Sequence, residues 1–288
     1  MKVNLIDKLT SHSVGAYGYR TFSPFVKPKF IEYVDKDQDI SVYTDKSIAD
    51  VNKIRNDKAK FKVAWLVECK EVHPVTHKMI LATEREFDYI FTFDRDLLKR
   101  DSKYKKNLIA SSRIIDRHAK IYKKTKNISM IVSNKKYCSG HQFRHHIVSN
   151  LKNIDKVHMW GEAFKPMPQG AKALALAEYR YSITIENSKS ENYFTEKLID
   201  CFRMGTIPVY WGSESIKEYF NMDGIIYFEE ISELDEIFAG LTEEKYVSML
   251  PAIKENYELA KKWTSMDDTF GKNLKEVIYG EKISTNAI

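Results

Sequence analysis

Residues 181–212 read YSITIENSKSENYFTEKLIDCFRMGTIPVYWG, and the order of patterns inside this stretch decides the fold class. Tyr181–Asn187 and Thr206–Gly212 are each dominated by apolar, aromatic and β-branched residues. Near-continuous runs of that kind suit strands covered on both faces in a parallel sheet. Between them a polar loop gives way to a helix, with Thr195 placed to cap its start and Gly205 to stop it. Leu198, Ile199 and Phe202 supply its apolar side. Ligands of open α/β sheets settle where strand C-termini and helix N-termini meet. The unpaired N–H groups and positive dipole of such a helix start suit a diphosphate. Lys197 in the first turn is unfavourable for an isolated helix, and an anion bound there would offset the penalty. Beside it, Glu196 has the two oxygens needed to take both hydroxyls of a ribose.

Working outward, Phe61–Glu68, Asp88–Phe93, Ile128–Asn134 and Gly224–Phe228 read as further strands. Gln142–Lys152 reads as a helix, because Phe143, Ile147 and Leu151 recur on one side. The tail from Ser232 to Val277 reads as mostly helical. Strands alternating with helices define an α/β protein. Residues 95–127 are polar, strongly basic and poor in strand signals, so we read them as a connector. That divides the chain into residues 1–127 and 128–288, with the last helix returning to pack on the first domain.

Composition narrows the function classes. Apolar residues make up 43% of the 288 and charged residues 30%, which fits a folded globular protein and not a disordered one. The formal charge is +6 and the pI near 8.9, a balance that suits an anionic ligand. Cys69, Cys138 and Cys201 are scattered and form no CxxC pair, so neither a zinc site nor a disulfide framework is expected. The opening MKVNLIDKLTSHSVG has no signal-peptide core, and no apolar run approaches a membrane span. The expectation is a soluble, cytoplasmic protein without a membrane anchor.

The run IENSKSENYFTEKL followed by GTIPVYWG resembles the signature of the α-1,3-fucosyltransferases, glycosyltransferase family 10. The matching residues are Glu186, Asn187, Ser188, Tyr193, Thr195, Glu196, Lys197, Leu198, Gly205, Thr206, Pro208, Val209 and Gly212. A weaker likeness runs upstream, through Val132-Ser133-Asn134 with Arg144 and through Phe87-Asp88-Tyr89 with Phe93-Asp94. Residues 1–60 carry no recognisable signal. The resemblance implies a GT-B fold, two Rossmann-like domains facing across a cleft, with an N-terminal acceptor domain and a C-terminal donor domain. It also implies an inverting, metal-independent transfer from a nucleotide-sugar donor, GDP-fucose, to a glycan hydroxyl, with no cofactor. Carried over by residue, Arg144 and Lys197 would neutralise the diphosphate and Tyr193 would hydrogen-bond it. Glu196 would hold the ribose, and Glu186 and Asn187 would line the sugar pocket. The family's general base is a Glu just after an acceptor-domain strand, which points to Glu68 first and Glu71 in reserve. Here the family's usual Glu-Ser-Pro is replaced by Glu68-Cys69-Lys70.

Other readings stand beside this one. Asp94-Arg95-Asp96 mimics a DxD metal motif, but three-residue matches are cheap in a charge-rich chain. His141, His145 and His146 lack a neighbouring cysteine or carboxylate to complete a metal set, so no metal is expected. The basic stretch, with Lys103, Lys105 and Lys106, suggests an acceptor or nucleic-acid contact. A transferase that glycosylates a hydroxymethylated DNA base, of the kind phages use and with a UDP-sugar donor, is therefore a second reading. A catalytically idle nucleotide-sugar-binding protein is the third.

Overall fold

Nearly continuous apolar strands must be covered on both faces, and parallel pairing with helical crossovers achieves this. The computed structural model describes residues 1–7, 20–34, 37–152, 154–168 and 170–281. They fall into two units, each with its own sheet.

Unit 1 takes residues 1–109, Ser190–Tyr193 and the chain from Ser265. Its six strands are β1 (Lys2–Ile6), β2 (Glu32–Val34), β3 (Ile40–Thr44), β4 (Phe61–Trp65), β5 (Tyr89–Thr92) and β6 (Tyr104–Lys106). All pair in parallel, in the order β2-β1-β3-β4-β5-β6. The connections carry α1 (Val51–Asn56), α2 (Pro74–Thr83) and α3 (Arg95–Leu98). One layer of core joins Tyr43, Ile54, Ala64, Leu66, Ile80, Phe87, Ile90 and Leu97, so the helices cover the sheet with apolar side chains.

Unit 2 spans 110–189 and 194–264. Its strands are β7 (Lys126–Ile131), β8 (Val157–Trp160), β9 (Tyr179–Ile185), β10 (Ile207–Trp211) and β11 (Ile226–Tyr227). They too are parallel, ordered β11-β10-β9-β7-β8. Helices α4 (Ser139–Asn150), α5 (Glu196–Arg203), α6 (Glu233–Gly240) and α7 (Glu243–Ala260) complete it. The chain leaves β7 toward one sheet edge and returns from β9 toward the other. The switch point of the sheet therefore lies between β7 and β9, at the starts of α4 and α5. At its far end α5 stops where Gly205 turns left-handed, with φ +66°.

The last helix, α8 (Met266–Tyr279), belongs to unit 1. Phe270 stacks on Trp65 with ring centroids 4.1 Å apart. Asp267, fully buried, accepts hydrogen bonds from Thr21 Oγ1 and the Phe22 N–H.

The sequence pattern and this architecture differ in two places. The pattern divides the chain at residue 127, whereas the units part at 109/110. Part of the basic stretch is not a connector, because α3 and β6 finish the first sheet. An edge strand of three residues carries too little pattern to announce itself, and its lysines suit an edge that must resist further pairing. Residues 1–60, silent as sequence, supply β1, β2 and β3. No helix among the described residues is long and apolar enough to cross a membrane.

Candidate functional site

In unit 2 the start of α4 is pressed against the end of β9. The Gly140 N–H donates to Asn187 O at 3.1 Å. A Cβ on Gly140 would lie 1.8 Å from Glu186 O, so no side chain fits there. From the first turns of α4, Arg144 reaches back with only 5% of its surface exposed. Its Nε and Nη2 donate to Ile185 O at 3.2 and 2.8 Å, and Nη2 also to Asn187 Oδ1 at 2.9 Å. The guanidinium thus ties the C-terminus of β9 to α4.

The start of α5 is braced from the same strand. Thr195 caps the helix, its Oγ1 accepting from the Lys197 N–H. Glu186 is fully buried. Its Oε1 accepts from the Thr195 N–H at 2.9 Å, and its Oε2 from Thr195 Oγ1 at 2.7 Å. Lys197 Nζ donates to Thr195 Oγ1 at 3.0 Å, stands 3.4 Å from Glu186 Oε2 and 3.5 Å from Glu196 Oε1. A buried carboxylate demands such partners, so Glu186 braces α5 and has no surface to offer a sugar pocket. Asn187, half-buried, is the member of this pair with exposed surface.

Glu196 and Lys197 keep 25% and 23% of their side chains exposed. Burial opposes ionisation of Glu196, but Lys197, Lys172 and Arg113 together overrule it and hold the carboxyl well below the usual range. Lys172 is fixed by an ion pair with fully buried Asp200 at 2.7 Å. Asp200 Oδ1 also accepts from Ser112 Oγ at 2.6 Å and the Arg113 N–H at 2.9 Å. These neighbours come from segments 110–116 and 172–175, and nothing in their spacing from Glu196 could have disclosed them. Gly140 was legible in principle, as a glycine at a helix start.

His141 is 3% exposed and its Nδ1 lies 2.9 Å from Cys138 Sγ. Burial first, then Arg144 and Lys197, pull its pKa down to about 4, so the ring is neutral at pH 7. His145 Nε2 pairs with Ser133 O, and His146 with Asn150. No group of three or more His, Cys, Asp or Glu among the described residues could hold a metal ion. Asp94 and Asp96 do not converge either. Asp94 Oδ1 caps α3 and its Oδ2 faces His77, while Asp96 stands in solvent beside Lys99.

The remaining candidates lie in unit 1. Tyr193, expected to hydrogen-bond the diphosphate, falls in the segment Ser190–Tyr193 of unit 1. It is 1% exposed, with its ring 5.2 Å from Phe93. Glu68, half-buried, follows β4, whereas Glu71 stands exposed in the next turn. Lys103 is engaged internally, its Nζ donating to Glu84 O at 2.7 Å. Lys105 and Lys106 sit on the edge strand β6.

Two doubly wound parallel sheets, one with a braced, cation-lined helix start at its switch point, are the architecture of the GT-B fold. Solved structures share the fold. A crystal structure of α1,3-fucosyltransferase with GDP superposes with TM-score 0.58 at 16% identity, covering 96% of this chain and 89% of that one. One with GDP-fucose gives 0.56 at 18%, covering 98% and 91%. The family model for glycosyltransferase family 10 (fucosyltransferase), C-terminal part, matches residues 121–269, just over half of the chain. The protein belongs to that family. Among curated relatives, the Helicobacter pylori α-(1,3)-fucosyltransferase FucT is 36% identical over 61 residues, 21% of this chain and 13% of that protein. Human GDP-fucose protein O-fucosyltransferase 3 is 25% identical over 210 residues, 67% of this chain and 42% of its own length. The chain thus spans less than half the length of either relative.

Proposed function

We propose that the protein transfers fucose from GDP-fucose to a hydroxyl of a glycan acceptor, with inversion at the anomeric carbon and without a metal. The observation that carries this reading is the start of α5. There Glu186 and Thr195 hold Lys197 and an ionised Glu196 at partly exposed positions on a helix N-terminus. Lys197 supplies charge to a diphosphate, and the Glu196 carboxylate, kept ionised by three cations, accepts from two ribose hydroxyls. Cations at the leaving GDP take over the charge neutralisation that a metal performs elsewhere. Arg144 serves the same pocket by fixing Asn187 and the end of β9.

An inverting transfer needs a general base to take the acceptor proton. We assign that role to Glu68, whose backbone is held at both its N–H and its carbonyl, in preference to exposed Glu71. Lys103 spends its ammonium on backbone carbonyls and the neighbouring lysines guard a sheet edge, so a glycan is preferred over a nucleic acid as acceptor.

A thermal-shift panel of GDP-fucose, GDP-mannose, UDP-glucose, UDP-arabinose, GDP and UDP, with and without EDTA, tests the donor. A ligand at one hundred times its Kd stabilises by about 2.7 kcal/mol. Guanine compounds are expected to raise Tm equally in EDTA. A response to uridine compounds alone overturns the GDP-fucose assignment. An α-linked product from the β-linked donor, read by NMR, would establish inversion.

A further inference from the structure

Parallel pairing brings the C-terminal ends of β3, β4 and β5 side by side, and two side chains there grip the backbone of one residue, with a third behind them. Asp45, directly after β3, turns its Oδ1 to the N–H groups of Val67 and Glu68, at 3.0 and 3.3 Å. On the other side of the residue, His77 of α2 has its Nε2 3.0 Å from Glu68 O. A carbonyl only accepts, so Nε2 carries the hydrogen. The second ring nitrogen of His77 faces Asp94 Oδ2, after β5, at 3.5 Å. Asp94 is itself anchored by the N–H groups of Asp96 and Leu97. Asp45 and His77 are 2% and 6% exposed.

Asp45 also adopts φ +36°, a left-handed backbone that a non-glycine residue takes at a cost. A turn meant only to leave β3 would be served better by glycine. The strained residue carries the carboxylate that receives the Glu68 loop. His77 likewise spends a buried imidazole on one carbonyl.

We propose that Asp45 and His77, with Asp94 behind His77, are positioning residues that fix the direction of the Glu68 side chain for proton abstraction. This rests on the reading of Glu68 as the general base. None of the three touches the reacting atoms. They act through the Glu68 backbone, where a displacement of about 1 Å can cost ~100-fold in rate.

The test follows GDP release from GDP-fucose with water as the nucleophile, which needs the same base and no identified acceptor. Asp45→Gly removes the carboxylate without adding strain at positive φ, and His77→Leu removes the N–H donor. Each is expected to lower kcat roughly ten- to hundred-fold with KM for GDP-fucose within about two-fold of wild type. Asp45→Asn and His77→Gln keep an acceptor and a donor in place and are expected to recover most of kcat. In a Glu68→Gln background, His77→Leu is expected to cost nothing further, whereas a general structural defect would cost the same in both backgrounds. Amide exchange at Val67 and Glu68 is expected to quicken in Asp45→Gly, a readout independent of turnover. Glu68→Gln as fast as wild type refutes the base, and the positioning role with it. Slow Glu68→Gln beside Asp45→Gly and His77→Leu at wild-type kcat refutes the positioning role alone. Unchanged amide exchange in Asp45→Gly refutes the contact itself.

Discussion

Replacing Asp45 with Asn isolates one buried charge. The carboxyl is 2% exposed, and burial, reinforced by the nearby Asp7, raises its pKa from 3.8 to about 6. The Val67 and Glu68 N–H groups and His77 act in the opposite sense and do not prevail. A folded-state pKa above the unfolded one means that the folded protein favours the neutral acid. The associated stability is complete below about pH 4 and is lost as pH rises through about 6. A tenfold change in proton affinity corresponds to about 1.4 kcal/mol, so the loss amounts to about 3 kcal/mol above pH 6. Asn keeps the accepting oxygen, tolerates the left-handed backbone and never ionises. The stability of Asp45→Asn minus that of wild type is therefore expected to be nearly flat below about pH 4. It should climb by up to about 3 kcal/mol between about pH 4 and 7, then level off. Urea denaturation of both proteins at half-unit pH steps measures it, and the subtraction removes every titration they share. A difference that falls with pH would show that the two N–H donors favour the carboxylate more than burial penalises it, and the inference from burial would fail.

Three further perturbations address the donor side of the molecule. Gly140→Ala forces a methyl group into Glu186 O and is expected to destabilise by about 3 kcal/mol or more in urea. Wild-type stability would mean that α4 can shift at no cost. Lys197→Met is expected to weaken GDP-fucose binding about ten- to hundred-fold by calorimetry, the range of a lost charge-assisted hydrogen bond. Unchanged affinity would remove Lys197 from the diphosphate site. Lys124, 7% exposed, has its Nζ within hydrogen-bond distance of Leu176 O, Ala177 O, Met204 O and Thr206 Oγ1, four acceptors that share its N–H groups. Lys124→Met strands those acceptors and should cost about 2–4 kcal/mol, measured by urea denaturation.

The donor half was legible because its information is local. Thr195, Glu196, Lys197 and Gly205 act within one helix, and helix starts and stops are written in neighbouring residues. The strands of unit 2 were legible for a related reason: β9 and β10 are buried almost throughout, so their apolar runs are nearly unbroken. Residues 1–60 were silent although β3 is equally buried, because Ser41, Thr44 and Asp45 interrupt the pattern with polar groups that find partners across the sheet.

By itself, the sequence determined the α/β class, the family and the helix start that holds Glu196 and Lys197, since periodicity and capping depend on residues close along the chain. Tertiary structure alone decided which charges keep Glu196 ionised, that Glu186 braces α5, and that Asp45 and His77 grip the backbone of Glu68. Those effects act through space across distances of a few ångströms. They join residues from about nine to more than eighty positions apart in sequence, and a parallel sheet brings them together only after its strands have taken their places.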